Sequence, residues 1–162
     1  MKGKVHLYGD HVDTDQIIPG AYTKTLDVED LAVHVFEYLD PDFRLRMNSE
    51  DFVVAGENFG CGSSREQAPL ALKAAGIAAV VASSFARIFY RNAINIGLSV
   101  VEIGPHEIEK GSELEIDLQA GVLTDRTAQR TYPTAKIPAV MLDILNEGGL
   151  VPYLKKHGDY QL

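Results

Sequence analysis

The sequence has no tryptophan, one cysteine, three methionines and no cluster of basic residues. Each shortage excludes something. One thiol, Cys61, cannot close an internal disulfide, nor can it supply the several thiolates an iron–sulfur cluster needs. Lysine and arginine number 15 against 23 aspartates and glutamates, a formal net charge of -8. The chain therefore lacks the positive surface that displaces counterions from nucleic acid. A small anion can still bind wherever a few arginines and backbone amides converge, so carboxylate ligands stay open. No apolar run approaches the roughly 20 residues needed to span a bilayer. The basic start, Met1-Lys2-Gly3-Lys4, has no apolar stretch or small-residue cleavage site behind it, which predicts a cytoplasmic protein.

What is present reads as one globular domain over residues 1–162, with 46% hydrophobic and 23% charged residues. Lys2 to Leu7 predicts a strand, Asp10 to Ala21 an ordered loop, and Val28 to Leu39 a helix. Asp27 is that helix's N-cap, and Pro41 ends it. Three apolar runs follow, Asp51 to Ala55, Ile77 to Ala82 and Leu98 to Ile103. Predicted helices from Ser64 to Ala75 and from Ser84 to Ile96 separate them, stopped by Gly76 and Gly97. That alternation predicts an α/β fold with a mostly parallel core sheet flanked by helices. Glu113 to Leu118 and Val122 to Thr124 predict a pair of strands about the Ala120-Gly121 turn. Ile137 to Asn146 predicts a helix, and the polar tail to Leu162 a surface segment.

The most informative stretch is Gly60-Cys61-Gly62-Ser63-Ser64-Arg65-Glu66, which follows a predicted strand and opens a helix. Glycines let the backbone approach a ligand with φ > 0, free amides at a helix start favour anions, and Arg65 offers a fork matched to a carboxylate. Ser63-x-x-Glu66 also fits a capping box, which explains one serine and the glutamate but not two glycines, a second serine and an arginine. The ending is neither Gly-Lys-Ser/Thr nor Gly-x-Ser-x-Gly, which argues against a Walker loop and a hydrolase elbow. A second cluster, His11 with Asp13 and Asp15, has metal-ligand residue types, but solvated charges in Asx-type turns are the simpler reading. In a third, Phe85, Ile88 and Phe89 share a helical face and predict core. Arg87 and Arg91, one turn apart, suit an anion or an ion pair. His6, His34, His106 and His157 are scattered and receive no role.

Three stretches together resemble the swivelling domain of the aconitase superfamily: Asp13-Thr14-Asp15-Gln16-Ile17-Ile18-Pro19, Gly56-Glu57-Asn58-Phe59 running through Gly60–Glu66 to Gln67-Ala68-Pro69, and Ser84-Phe85-Ala86-Arg87-Ile88-Phe89-Tyr90-Arg91-Asn92. Their order is right, and Gly-Ser-Ser-Arg-Glu is the most specific part. A short chain carrying them alone resembles the separate small subunits of the isopropylmalate-type members. That resemblance implies a β/β/α swivelling fold and a large-subunit partner carrying a [4Fe-4S] cluster, with no cofactor on this chain. It also implies a hydro-lyase that interconverts 2- and 3-isopropylmalate by dehydration and rehydration, as in leucine biosynthesis. By position it implies Ser63 as base, Asp15 as an active-site acid group, and Ser64, Arg65 and Thr14 as contacts to a di- or tricarboxylate substrate. Tyr22, Thr23 and Lys24 border the substrate's variable side chain, with Lys24 suited to the extra carboxylate of homoaconitate. Methylmalate-type and dimethylmalate substrates stay open, as does a non-catalytic carboxylate-sensing module. Gln67 stands where the family often has His, a position assigned to helix packing, and Cys61 at one the family fills variably.

Overall fold

Strand β1 (Lys2–Leu7) lies at the centre of a seven-stranded sheet and joins two halves of different character. On one side it pairs in parallel with β2 (Phe52–Ala55), which continues to β3 (Ala79–Ala82) and β4 (Ser99–Glu102). On the other it pairs antiparallel with β5 (Glu113–Asp117), followed by β6 (Val122–Asp125) and β7 (Arg130–Pro133). The computed structural model describes residues 1–25 and 27–160, so Gln161 and Leu162, the end of the polar tail, lie outside it.

Period-two alternation in the strands separates two cores. Val53 and Ala55 of β2 face one cluster, with Leu31, Phe36, Leu72, Phe89 and Tyr153. Phe52 and Val54 face the other, with Val5, Val81, Leu114, Ile116 and Leu123. Helices therefore cover one face of the parallel strands and the curled antiparallel half covers the other. Strands covered on both faces are apolar at every position, as β2 and β3 are. This is the α/β swivelling arrangement. The parallel core spans β1 to β4, and the sheet as a whole has three parallel and three antiparallel pairings. No helix of the described residues is long and apolar enough to cross a membrane.

The helices depart from the sequence pattern in instructive ways. Inside the predicted 10–21 loop, Asp13 caps a short helix α1 (Thr14–Ile17), its carboxylate accepting from the Gln16 amide while Gln16 returns a bond to the Asp13 amide. Helix α2 (Val28–Val33) starts at the predicted Asp27 cap but stops well short of Leu39. Phe36 adopts φ +58 and donates its amide to the Ile17 carbonyl, so burying its ring takes the chain out of helical geometry. A turn, α3 (Phe43–Arg46), follows Pro41. Helix α4 (Gln67–Ala74) begins three residues later than predicted, and α5 (Arg87–Ile96) also starts three residues late. Helix α6 (Ala139–Asn146) matches its prediction within two residues. The tail instead carries a further helix, α7 (Leu150–His157), anchored by the fully buried Tyr153.

A buried pair fixes the start of β2. The His6 Nε2 lies 2.9 Å from Asp51 Oδ2, and Asp51 also accepts from the amides of Asn48 at 2.9 Å and Lys4 at 3.2 Å. Burial pushes the Asp51 carboxyl upward, but the Asn48 amide, the His6 ring and the Lys4 amide outweigh it and hold the group below the usual carboxylate range. Because its folded value lies below its unfolded one, this stabilisation is fully present above about pH 4 and is lost as pH falls below that, through the depressed folded value. The urea midpoint should drop steeply below about pH 4, and Asp51→Asn should flatten that drop.

Candidate active site

Beyond the carboxyl ends of β1, β2 and β3 the chain runs on as three extended segments that stay side by side. His11 donates to the Glu57 carbonyl at 2.8 Å, Gly60 to Val12 at 2.8 Å, and Thr14 to Cys61 at 2.9 Å. Phe59 donates to Ser84 at 3.0 Å, and Ala86 to Phe59 at 2.9 Å. This second pairing holds Ser84–Ala86 extended, which is why α5 waits until Arg87. All three sequence stretches thus meet at one edge of the parallel sheet, the edge where open α/β folds place ligands.

The turn itself has left-handed backbone at Gly60 (φ +78) and Gly62 (φ +90). Ser63 and Ser64 follow with their side chains exposed, and neither hydroxyl is engaged among the described residues. The helix cannot reach back over them. In a helix begun at Ser64, Pro69 would have to donate to Arg65, yet proline has no N–H and its ring clashes with that carbonyl. The helix therefore opens at Gln67 with Glu66 as N-cap and no side-chain cap bond. The capping box does not form, so capping accounts for neither Ser63 nor Glu66. Nor does Ser63 sit in the first turn, and the helix dipole acts on it from three residues further on.

Arg65 forms an ion pair with Asp15 of α1, so the Gly-rich turn and the Thr-Asp segment share one electrostatic centre. Gly20 lies against the pair, since a Cβ there would sit 3.1 Å from Arg65 Nη1 and 3.3 Å from Asp15 Oδ1. The remaining acidic groups nearby have separate duties. Asp13 caps α1, and Asp10 accepts from the Glu57 amide at 2.7 Å. Among the described residues no three His, Cys, Asp or Glu side chains are placed to hold a metal ion. Cys61 points its thiol at the His11 carbonyl, 3.5 Å away; burial, then Asp13, pushes it up, so it stays a thiol at neutral pH.

Thr14 is 2% exposed, and its hydroxyl is buried without a partner beneath Gly62. Tyr22 stacks on His34 with ring centroids 3.5 Å apart and directs its hydroxyl to Glu37 at 3.3 Å. Thr23 turns its hydroxyl to the Gly20 carbonyl at 2.8 Å, and the Lys24 side chain is exposed. Sequence reasoning missed two supports of the site. Asn92 donates to the Ser64 carbonyl at 3.4 Å, and Gln67 reaches the Thr23 carbonyl at 3.2 Å rather than serving helix packing alone. Asn92 closes the third sequence stretch, directly after Arg91, which was the available signal.

A cleft of about 520 Å³ opens beside the turn, lined by Asn58, Gly62, Ser63, Arg87, Ile88 and Arg91. Ile88 is 51% exposed there, against the expectation that it is core, while Phe89 is buried. The late helix start explains this, because Phe85 lies outside α5 and does not extend its apolar face. Neither Arg87 nor Arg91, both lining the cleft, has a carboxylate partner among the described residues, so both are available cations. A larger hollow of about 630 Å³ lies at the far end of β1, but Arg126 and Lys2 there are answered by Glu115, and no serine-rich turn borders it.

Comparison with known proteins agrees with this geometry. Residues 14–105 match the model of the aconitase C-terminal domain. The chain is 53% identical, over 100% of its own length and 99% of the relative's, to 3-isopropylmalate dehydratase small subunit 2 of Archaeoglobus fulgidus. It is 50% identical to the methanogen homoaconitase small subunit of Methanothermobacter thermautotrophicus, covering 96% of this chain and 91% of that one. It also superimposes with a TM-score of 0.92 on the crystal structure of 3-isopropylmalate dehydratase from Methanocaldococcus jannaschii, at 48% identity over 97% of this chain and 94% of that one.

Proposed function

The chain belongs to the aconitase C-terminal-domain family, as a hydro-lyase small subunit of the 3-isopropylmalate dehydratase type, and from that premise we propose that Ser63 and Arg65 are its half of a shared active site. The reaction is the interconversion of 2- and 3-isopropylmalate by loss and return of water, a step of leucine biosynthesis. The observation that carries this reading is the unengaged Ser63 hydroxyl at the rim of an arginine-lined cleft, two residues before the Arg65 that pairs with Asp15.

One carboxylate of the substrate displaces Asp15 on Arg65 or shares the guanidinium with it, and the Ser64 hydroxyl supports it. Ser63 as alkoxide takes the proton from the carbon beside that carboxylate. The C–H electron pair becomes the carbon–carbon double bond as hydroxide leaves the neighbouring carbon. Water then adds in the opposite sense while the Ser63 hydroxyl returns its proton, so the net change is isomerisation. Serine is a weak base in water; the positive field of Arg65, Arg87 and Arg91 in a site closed by a partner favours its charged form. Asp15 orients Arg65, while the Thr14 hydroxyl, buried beneath Gly62, is out of reach of a substrate unless the turn moves. A [4Fe-4S] cluster does not fit this chain's single thiol; we place it on a large-subunit partner, where iron would serve as Lewis acid toward the departing hydroxyl.

Substrate breadth rests on the segment 20–25. Tyr22 and Thr23 are committed to internal contacts and present a fixed wall, while exposed Lys24 is suited to a further carboxylate. That observation supports homoaconitate as a second substrate. A panel of isopropylmalate, homoaconitate and methyl-substituted malates, assayed on the chain reconstituted with a large subunit, decides among them; tight carboxylate binding by the chain alone, with no partner recovered, would favour a sensing module instead. Arg65→Gln should lower kcat/KM about 10²-fold by removing a charge-assisted bidentate contact. A loss below about threefold would remove Arg65 from the clamp role.

A further inference from the structure

Arg65 and Gln67 lie two residues apart where the Gly-rich turn enters α4, and each holds a different part of the segment Gly20–Thr25. Arg65 does so through Asp15, with Gly20 packed against the pair so closely that a Cβ would stand 3.1 Å from the guanidinium. Gln67 does so directly, its side-chain amide donating to the Thr23 carbonyl at 3.2 Å across 44 residues of sequence. The outer side of the segment is fixed separately by the Tyr22–His34 stack and the Tyr22–Glu37 bond. Thr23 also bonds back to Gly20 at 2.8 Å, which makes the segment a closed turn with few ways to shift.

We infer that Gln67 is a positioning residue for substrate choice: it sets the separation between the Arg65 carboxylate clamp and the Thr23–Lys24 wall that meets the rest of the substrate. The inference rests on the proposed site. Arg65 grips the part common to every candidate substrate, so chemistry depends on Arg65 and Ser63. Selectivity depends on how far away the wall stands, and an acceptor on the Thr23 backbone lets α4 fix that distance whatever side chain sits at position 24. A hydrogen bond of this kind changes a contact by a few-fold rather than abolishing it.

Two variants test it in the reconstituted complex. Gln67→Met keeps the volume and removes the donor, and Gln67→Glu keeps the shape and places an acceptor against the carbonyl. Both should leave kcat on the preferred substrate within about twofold while the ratio of KM values between preferred and poorer hydroxy-diacids shrinks about 3- to 10-fold. In the full chain alone, the amides of Tyr22 and Thr23, which bond to Pro19 and Gly20, should exchange hydrogen faster in both variants. An unchanged KM ratio with unchanged exchange overturns the inference. So does an equal fall in kcat on every substrate together with a lowered melting temperature, the signature of a purely structural residue. If the wild-type complex dehydrates no hydroxy-diacid, the proposed function fails, while amide exchange still reports whether Gln67 anchors the segment.

Discussion

Ser63→Ala should leave a reconstituted complex whose KM is close to wild type and whose kcat is about 10³-fold lower, the scale of a lost general base. The separation of the two constants follows from the geometry. The Ser63 hydroxyl is exposed and engaged by nothing among the described residues, so its removal breaks no structural bond. The proposed carboxylate contacts of Arg65 and Ser64 are untouched by the change, so ground-state binding should survive. What disappears is the atom proposed to take the proton, an interaction made only as the C–H bond breaks. Unchanged thermal stability is therefore part of the prediction. Ser64→Ala is the comparison: a serine that only supports a carboxylate should raise KM a few-fold and leave kcat within about tenfold. Activity in Ser63→Ala within about fivefold of wild type would remove the serine from proton transfer and leave the turn as a binding element alone.

The sheet's parallel half and the identity of the turn were legible because they are written in strong local signals. Short, valine-rich, doubly apolar runs at 52–55 and 79–82 read as strands covered on both faces, and Gly97 marks the end of α5 with φ +79, where glycine costs least. Strand β7 was not legible, since Arg130–Pro133 has no apolar alternation and is held by a hairpin in which Asp125 accepts from the amides of Thr127 and Ala128. Helix α7 was hidden by the breakers Gly148, Gly149 and Pro152, although the buried Tyr153, with Leu150 and Leu154 beside it, docks it on the core. Three helix boundaries failed for physical reasons that act at a distance or against periodicity. Phe36 leaves α2 to bury its ring, Pro69 forbids helix over Ser64–Glu66, and the pairing of Phe59 with Ser84 and Ala86 delays α5. The proposed carboxylate clamp rests on Ser-Ser-Arg, a local signal, but the partnership of Arg65 with Asp15, 50 residues earlier, and of Gln67 with Thr23 needed the fold to bring them together.

Gly60→Ala should destabilise the chain by about 2–5 kcal/mol, the sum of a positive-φ penalty and an overpacked core. Gly60 has φ +78, and a Cβ there would stand 2.2 Å from Cγ and 2.5 Å from Cβ of Phe89. That ring cannot retreat. It is 2% exposed and meets Phe59 edge-on at 5.2 Å and Phe85 in a stack at 6.3 Å. The backbone must move instead, and moving it strains the 2.8 Å bond from the Gly60 amide to Val12, which ties the Gly-rich turn to the segment bearing Asp15. A fold with ordinary reserve of about 5–15 kcal/mol could survive this with a lowered urea midpoint. Gly104→Ala separates the two causes, because Gly104 also has positive φ (+69) but nothing within 4 Å of the new Cβ, so only about 1 kcal/mol should be lost. Phe89→Ala added to Gly60→Ala should cost less than the two changes summed, since it removes Cγ and Cδ2, two of the three atoms the new methyl would meet. Equal destabilisation at positions 60 and 104 would mean that backbone conformation alone matters. A large excess at 60 identifies the Gly60–Phe89 contact as what holds the substrate turn to the core, and so fixes Ser63 relative to the sheet.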